Sequence, residues 1–337
     1  MRSLAHVSIL LGAAAAAVLG LVATDASLLP ALLFWVAVGQ GLFALAAAAE
    51  LSNAHWIKPA RTTILNLHPL LLMFPVLFLV LARNMSIYPW TEHPTAWLNP
   101  AFFIARNVAM LVVTWLAAWA YARASLAGSD HSRTLAVVYL FIFVANQSLV
   151  AFDWVMPLEY PWISTLFGGY FFVEALYAGI AVSAILVACL TPRDQHALNR
   201  PLGDAATLLF GFALLWAGQM FAQYLVIWYG NLPHEVSFVA HRVIPSPMRE
   251  MAVGVLFALF VIPFTVFFSR TAKTTPLIIV PMAGLIFAGI FVERLLFLIP
   301  SAPLNPLLVI LTTLAVGAPF VLMLRSGMAQ ARVEGVV

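Results

Sequence analysis

A single cysteine, Cys189, stands among 337 residues, within an apolar run from Ala184 to Leu190. One thiol excludes an intrachain disulfide and any cysteine-ligated iron–sulfur cluster held by this chain alone. No Cys-x-x-Cys-His string occurs, so covalent haem attachment is excluded too. Charge is scarce: Asp, Glu, Lys and Arg make up 9% of the residues, against roughly 25% in soluble domains. Long polar segments are also missing. No connection between apolar runs exceeds about twenty residues, which leaves no room for a soluble domain.

What the chain does have is apolar length. Hydrophobic residues make up 64% of it, and the mean hydropathy is +1.01. A bilayer core about 30 Å thick needs about 20 apolar residues per helix. Ten segments qualify, near 4–24, 29–50, 62–83, 101–123, 134–157, 161–190, 204–229, 249–269, 276–299 and 304–325. Pro, Gly, Asn and charge clusters mark the breaks. The first run follows Arg2 and resembles a signal peptide. It is long enough to span and lacks a cleavage box at 23–27, so it reads as a retained helix. The expected fold is an all-α integral membrane protein with ten transmembrane helices.

Ten helices put both termini on one side. That side collects Arg2, Lys58, Arg61, Arg123, Arg133, Arg193, Arg200, Arg270, Lys273, Arg325 and Arg332. The other collects Arg83, Arg242 and Arg249, together with aromatic segments such as Tyr88-Pro89-Trp90 and Trp228-Tyr229. The asymmetry predicts cytoplasmic termini and a multi-pass protein. It also accounts for the net charge of +3, so no nucleic-acid partner is expected.

Two arginines, Arg106 and Arg294, fall inside helices, as do several carboxylates. An ionisable group at membrane depth is costly and marks a functional candidate. With about 1.5 Å of rise per residue, Arg106, Asp153, Gln223 and Arg294 all come out about 6–9 Å below the outer surface. Glu293 and Gln219 join that zone, and Asn146 shares the Asp153 face. A carboxylate and a cation between apolar walls suit a quinone head group, the first taking a hydroxyl proton and the second steadying oxygen charge. The structural alternative is an Arg106–Asp153 pair, with Arg294 paired to Glu293 or reaching outward.

A second set, His68, Glu50, Glu174, Tyr170 and Tyr177, is expected nearer the cytoplasm. Tyr170, Glu174 and Tyr177 share one helical face, which suggests half of a proton route. A lone His68 also fits a hydrogen-bonded core residue. It is the one histidine of eight clearly inside a segment, so a bis-histidine haem is not expected. No metal site is expected either.

Two long strings carry a resemblance. The first runs Phe152-Asp153-Trp154, Leu158-Glu159 and Trp162-Ile163-Ser164-Thr165-Leu166-Phe167-Gly168; the second is Gln223-Tyr224-Leu225-Val226-Ile227-Trp228-Tyr229-Gly230-Asn231-Leu232-Pro233. Shorter ones are Trp56-Ile57-Lys58-Pro59-Ala60-Arg61, His241-Arg242, and Pro263-Phe264 with Ser269-Arg270. Over about 50–300 the chain resembles the second quinone-binding-type membrane subunit of alternative complex III, in the NrfD/polysulfide-reductase membrane-subunit superfamily.

The resemblance implies two four-helix bundles, helices 2–5 and 6–9, flanked by two peripheral helices. The corresponding divisions are 1–28, 29–160, 161–300, and 301–337 with a cytoplasmic tail. It implies a bacterial inner-membrane subunit without redox centres, working with a sister membrane subunit, an iron–sulfur subunit and multihaem cytochrome c subunits. Such a complex oxidises menaquinone- or ubiquinone-type quinol, and the motif carboxylate falls on Asp153. One departure matters: Leu158-Glu159-Tyr160-Pro161-Trp162 lacks the histidine of the relatives' Leu-Glu-Pro-His-Trp. His234 likewise stands where a Glu often follows Leu-Pro. Two alternatives stay open, a structural or proton-conducting subunit without its own quinone site, and a secondary transporter. The segment from Gly230 to Pro247 is expected to be an ordered outer surface that packs against an extrinsic partner.

Overall fold

The computed structural model describes residues 2–23, 25–191 and 195–333. Arg193 and the chain end at Val337 lie outside the described residues, as do the side chains of Arg2, His6, His196 and Arg332. In chain order the α-helices are α1 (Arg2–Val22), α2 (Leu29–Leu51), α3 (Lys58–Leu65), α4 (Met73–Leu81), α5 (Pro100–Leu126) and α6 (Ser132–Val150). They continue with α7 (Leu166–Leu190), α8 (Gln195–Gly230), α9 (Pro233–Val243), α10 (Met248–Leu256), α11 (Ile262–Phe267), α12 (Pro276–Leu298) and α13 (Pro306–Val333). Nine helical stretches among the described residues are long and apolar enough to cross a membrane, and α1 adds a shorter apolar stretch, Leu10–Val22. The protein is an all-α, multi-pass membrane protein.

The centre of the molecule is the α2/α7 pair. Of their apolar windows, 94% and 78% are buried, against 28–44% for the other spans. Small residues allow the approach. A Cβ on Gly41 would collide with the Ala175 carbonyl, and one on Gly179 would stand 2.5 Å from the Gly41 backbone. Without a hydrophobic drive between helices in lipid, backbone contact of this kind supplies the packing. On one side α2 is joined by α6 and α4, with α5 packed on those two; on the other α7 is joined by α8 and α12, with α10 packed on α12 and α11 on α8. The helices α1 and α13 pack on each other and against the first group, where Trp35 Nε1 donates to Thr313 O at 2.9 Å.

Two expected segments differ in detail. The third is broken: α3 ends at Leu65, His68–Leu72 winds as a 3-10 turn, and α4 follows. Pro69 and Pro75 lack the N–H that a continuous α-helix needs. The sixth does not start at 161: residues 160–165 run as a turn, with a cis Tyr160–Pro161 bond, and α7 begins at Leu166. The segment after α8, expected to be ordered, is largely helical: Pro233 opens the eleven-residue helix α9. Glu159 accepts from Arg242 Nη1 of that helix at 3.0 Å and from Ser301 Oγ at 2.5 Å. Arg242 Nη2 also donates to Phe297 O at 2.7 Å, and Trp162 stacks on Phe238 at 3.7 Å between centroids. Burial of Arg242 pushes its guanidinium down from the usual arginine range, and the Glu159 charge opposes that.

Candidate functional site

Among the described residues, four polar centres are built between the helices. The first is built by α5 and the end of α6. After Val150 the chain takes one π-helical turn, Ala151–Val155, a widening often found where a side chain must be aimed. That turn directs Asp153 at α5. Its Oδ2 accepts from Arg106 Nε at 2.7 Å and from Asn107 Nδ2 at 2.6 Å, and its Oδ1 accepts from Arg106 Nη2 at 2.9 Å. Trp154 Nε1 holds Asn107 through its Oδ1 at 2.8 Å. Arg106 Nη1 reaches Trp97 O at 2.5 Å, with the Trp97 ring 4.3 Å from its Cζ. Asp153 has no exposed surface. The fork-to-carboxylate geometry is the strong, directional kind of ion pair.

The second centre joins α7, α8 and α12, and it redistributes the expected residues. Arg294 Nη2 is 2.7 Å from Glu174 Oε2, with both side chains fully buried. The contact is Coulombic: neither Glu174 oxygen and none of the Arg294 nitrogens has an aligned hydrogen-bond partner. The guanidinium lies over Phe171, 4.0 Å from the ring centroid. Next to it, Glu293 accepts from Tyr170 Oη and from Trp216 Nε1, the latter at 3.2 and 3.3 Å. Two carboxylates, one guanidinium and a phenol thus occupy one apolar enclosure.

Arg294 therefore belongs with Glu174, not with Asp153, Gln223 or lipid. The helical count that gave Glu174 its expected depth began at Pro161, whereas α7 begins at Leu166. Counted from Leu166, Glu174 is about 12 Å along α7, and Arg294 is about 6 Å from the end of α12. Gln223 is elsewhere again: Ser164 Oγ donates to its Oε1 at 2.5 Å beside a cavity of about 400 Å³ lined by Trp162, Val226 and Glu235.

The third centre is at the opposite end of the first group. Glu50 Oε2 accepts from Tyr121 Oη at 3.0 Å, Arg61 Nη2 at 3.2 Å and Ser125 Oγ. His68 is half-buried on the 3-10 turn, and its Nδ1 is buried without a hydrogen-bond partner. Tyr177 does not continue the Tyr170–Glu174 line to Glu50; it donates to Leu259 O at 3.0 Å, on the second π-helical turn, Phe257–Val261. The expected proton-route residues are thus divided between two groups of helices.

The fourth centre is midway in the first group, where Gln147 Nε2 donates to Gln40 Oε1 at 2.9 Å and Tyr139 Oη to Gln40 O at 2.9 Å. Tyr139 and Asn146 on α6 and Asp153 on the π-helical turn that follows it are spaced seven residues apart, and all three are buried, so polar groups run from mid-helix to the Asp153 centre. Sequence reasoning missed Asn107, Tyr121, Ser125, Tyr139, Gln147 and Trp216. The seven-residue spacing on α6 and the Asn beside Arg106 were the available signals; nothing local marked Ser125 or Trp216.

Composition, helix lengths and buried ionisable clusters together define a multi-pass α-helical membrane protein with polar centres inside its helical body. Comparison with protein-family models and with curated proteins finds no match to this chain.

Proposed function

We propose that the chain is a membrane subunit of a quinol-oxidising electron-transfer complex in a bacterial inner membrane, contributing to quinol handling and proton movement. The sequence resemblance suggests the class. The observation that carries the reading is the Asp153 centre: a buried carboxylate on a π-helical turn, held by Arg106 and Asn107 near the aromatic-rich end. In that role Asp153 takes a quinol proton and Arg106 steadies charge on the ring oxygen. The quinone is of the menaquinone or ubiquinone type. The partners are a sister membrane subunit, an iron–sulfur subunit and multihaem cytochrome c subunits.

A second reading has its own support. Both Asp153 oxygens are already bonded, which suits a structural ion pair. The Glu174–Arg294–Glu293 cluster is then the working part, as a proton-handling element without a quinone site. Quinol oxidation by the intact complex in membranes separates the two. With Asp153 as the base, Asp153→Asn lowers turnover by about 10²–10⁴-fold, whereas Glu174→Gln spares electron transfer and lowers proton movement. Normal turnover in Asp153→Asn transfers the chemistry to the sister subunit.

A further inference from the structure

Where α2 leaves the helical body, a cavity of about 310 Å³ opens between its last turn and the first turn of α3. The sequence makes the space: Ala46, Ala49 and Ala54 line it with methyl groups, and Asn53 turns the chain with φ +52°. Its polar rim includes Lys58, Arg61, His55 and Asn53, and Glu50 lies within. Glu50 is satisfied by Arg61, Tyr121 and Ser125, so it presents little uncompensated charge. Lys58 and His55 are exposed, and the Arg61 side chain is one-third exposed. Two full cations against one carboxylate leave a positive cavity. Arg133 adds another charge by donating to Asn53 Oδ1 at 3.1 Å and to Leu51 O at 2.8 Å.

We propose that this cavity binds the phosphate of an anionic phospholipid head group. A phosphodiester matches a pocket with Lys58 and Arg61 on its rim and amide and hydroxyl groups from Asn53 and Thr62 beside them. Basic pockets between transmembrane helices at the positive end of a membrane protein take such head groups. The same groups would also hold free phosphate, which the displacement arm of the experiment separates from lipid. Nothing in this assignment depends on quinol chemistry.

The test uses the full chain, with whatever partners copurify, in nanodiscs of phosphatidylglycerol and phosphatidylethanolamine followed by native mass spectrometry. The wild type should retain phosphatidylglycerol over phosphatidylethanolamine. Lys58→Gln should lower that preference about fivefold, since one cation near a lipid surface is worth about 1 kcal/mol. Lys273→Gln, at the same end but against Phe210, is the charge-matched control and should leave the preference in place. Equal retention of both lipids by the wild type overturns the site, as does an equal loss in the two variants, which would signal bulk attraction. Full displacement of phosphatidylglycerol by about 10 mM inorganic phosphate would assign the cavity to the free anion and overturn the lipid.

Discussion

Arg294 Nη2 meets Glu174 Oε2 at 2.7 Å in an enclosure that both side chains share with Glu293 and that none of the three leaves. With one guanidinium against two carboxylates, Arg294 is the residue whose removal the enclosure tolerates least. Arg294→Met should destabilise the protein by about 3–5 kcal/mol, the cost of leaving buried charge without its partner. Glu174→Gln and Glu293→Gln each keep a cation–anion pair and should cost less. Thermal unfolding in detergent ranks the three variants; a stable Arg294→Met protein would show that the enclosure does not depend on its cation.

The Arg106–Asp153 pair allows a cleaner separation. Asp153→Ala and Arg106→Ala should each lose about 3–5 kcal/mol, because a buried partner is left uncompensated. The double variant Arg106→Met/Asp153→Leu should recover most of that loss, since two apolar side chains of similar bulk replace a pair whose desolvation was costly. If the double variant is as unstable as the singles added together, the pair is not the coupled unit described.

Glycine substitutions should sort by backbone proximity. Gly41→Ala and Gly179→Ala place methyl groups against backbone atoms of the facing helix, so a loss of about 1–3 kcal/mol is expected from overpacking. Gly211→Ala and Gly254→Ala meet nothing within 4 Å and should be neutral or stabilising by up to about 1 kcal/mol. The same thermal measurement decides, and indistinguishable pairs would mean that the α2/α7 contact is looser than described.

The Lys and Arg distribution predicts cytoplasmic termini. A green fluorescent reporter fused after Val337 should fluoresce, and a periplasmic phosphatase fused there should be inactive. The reverse pattern would invert the membrane orientation while leaving every internal contact unchanged.

The class of fold was legible in the chain itself, because lipid leaves a backbone few ways to satisfy its hydrogen bonds and hydropathy marks where helices must lie. Nine of the ten expected spans, the polar Asn146–Asp153 face and the Arg106–Asp153 pairing followed from length, spacing and the adjacency of consecutive antiparallel helices, while the first expected span holds only a shorter apolar stretch, Leu10–Val22. Turn chemistry limited the reading of depth: the residues from Pro161 to Thr165 counted as helix but form a turn, so the helical count to Glu174 started five residues too early. The partner of Arg294 is on α7, more than a hundred residues earlier. Only the crossing of α7 and α12 could bring the two together, because a side chain's neighbours across helices depend on rotation and offset that periodicity does not encode. The tertiary structure likewise decided the division of Glu50, Tyr177 and Tyr170 among separate centres. A buried charge takes the nearest partner that packing delivers, and packing is a property of all the helices at once.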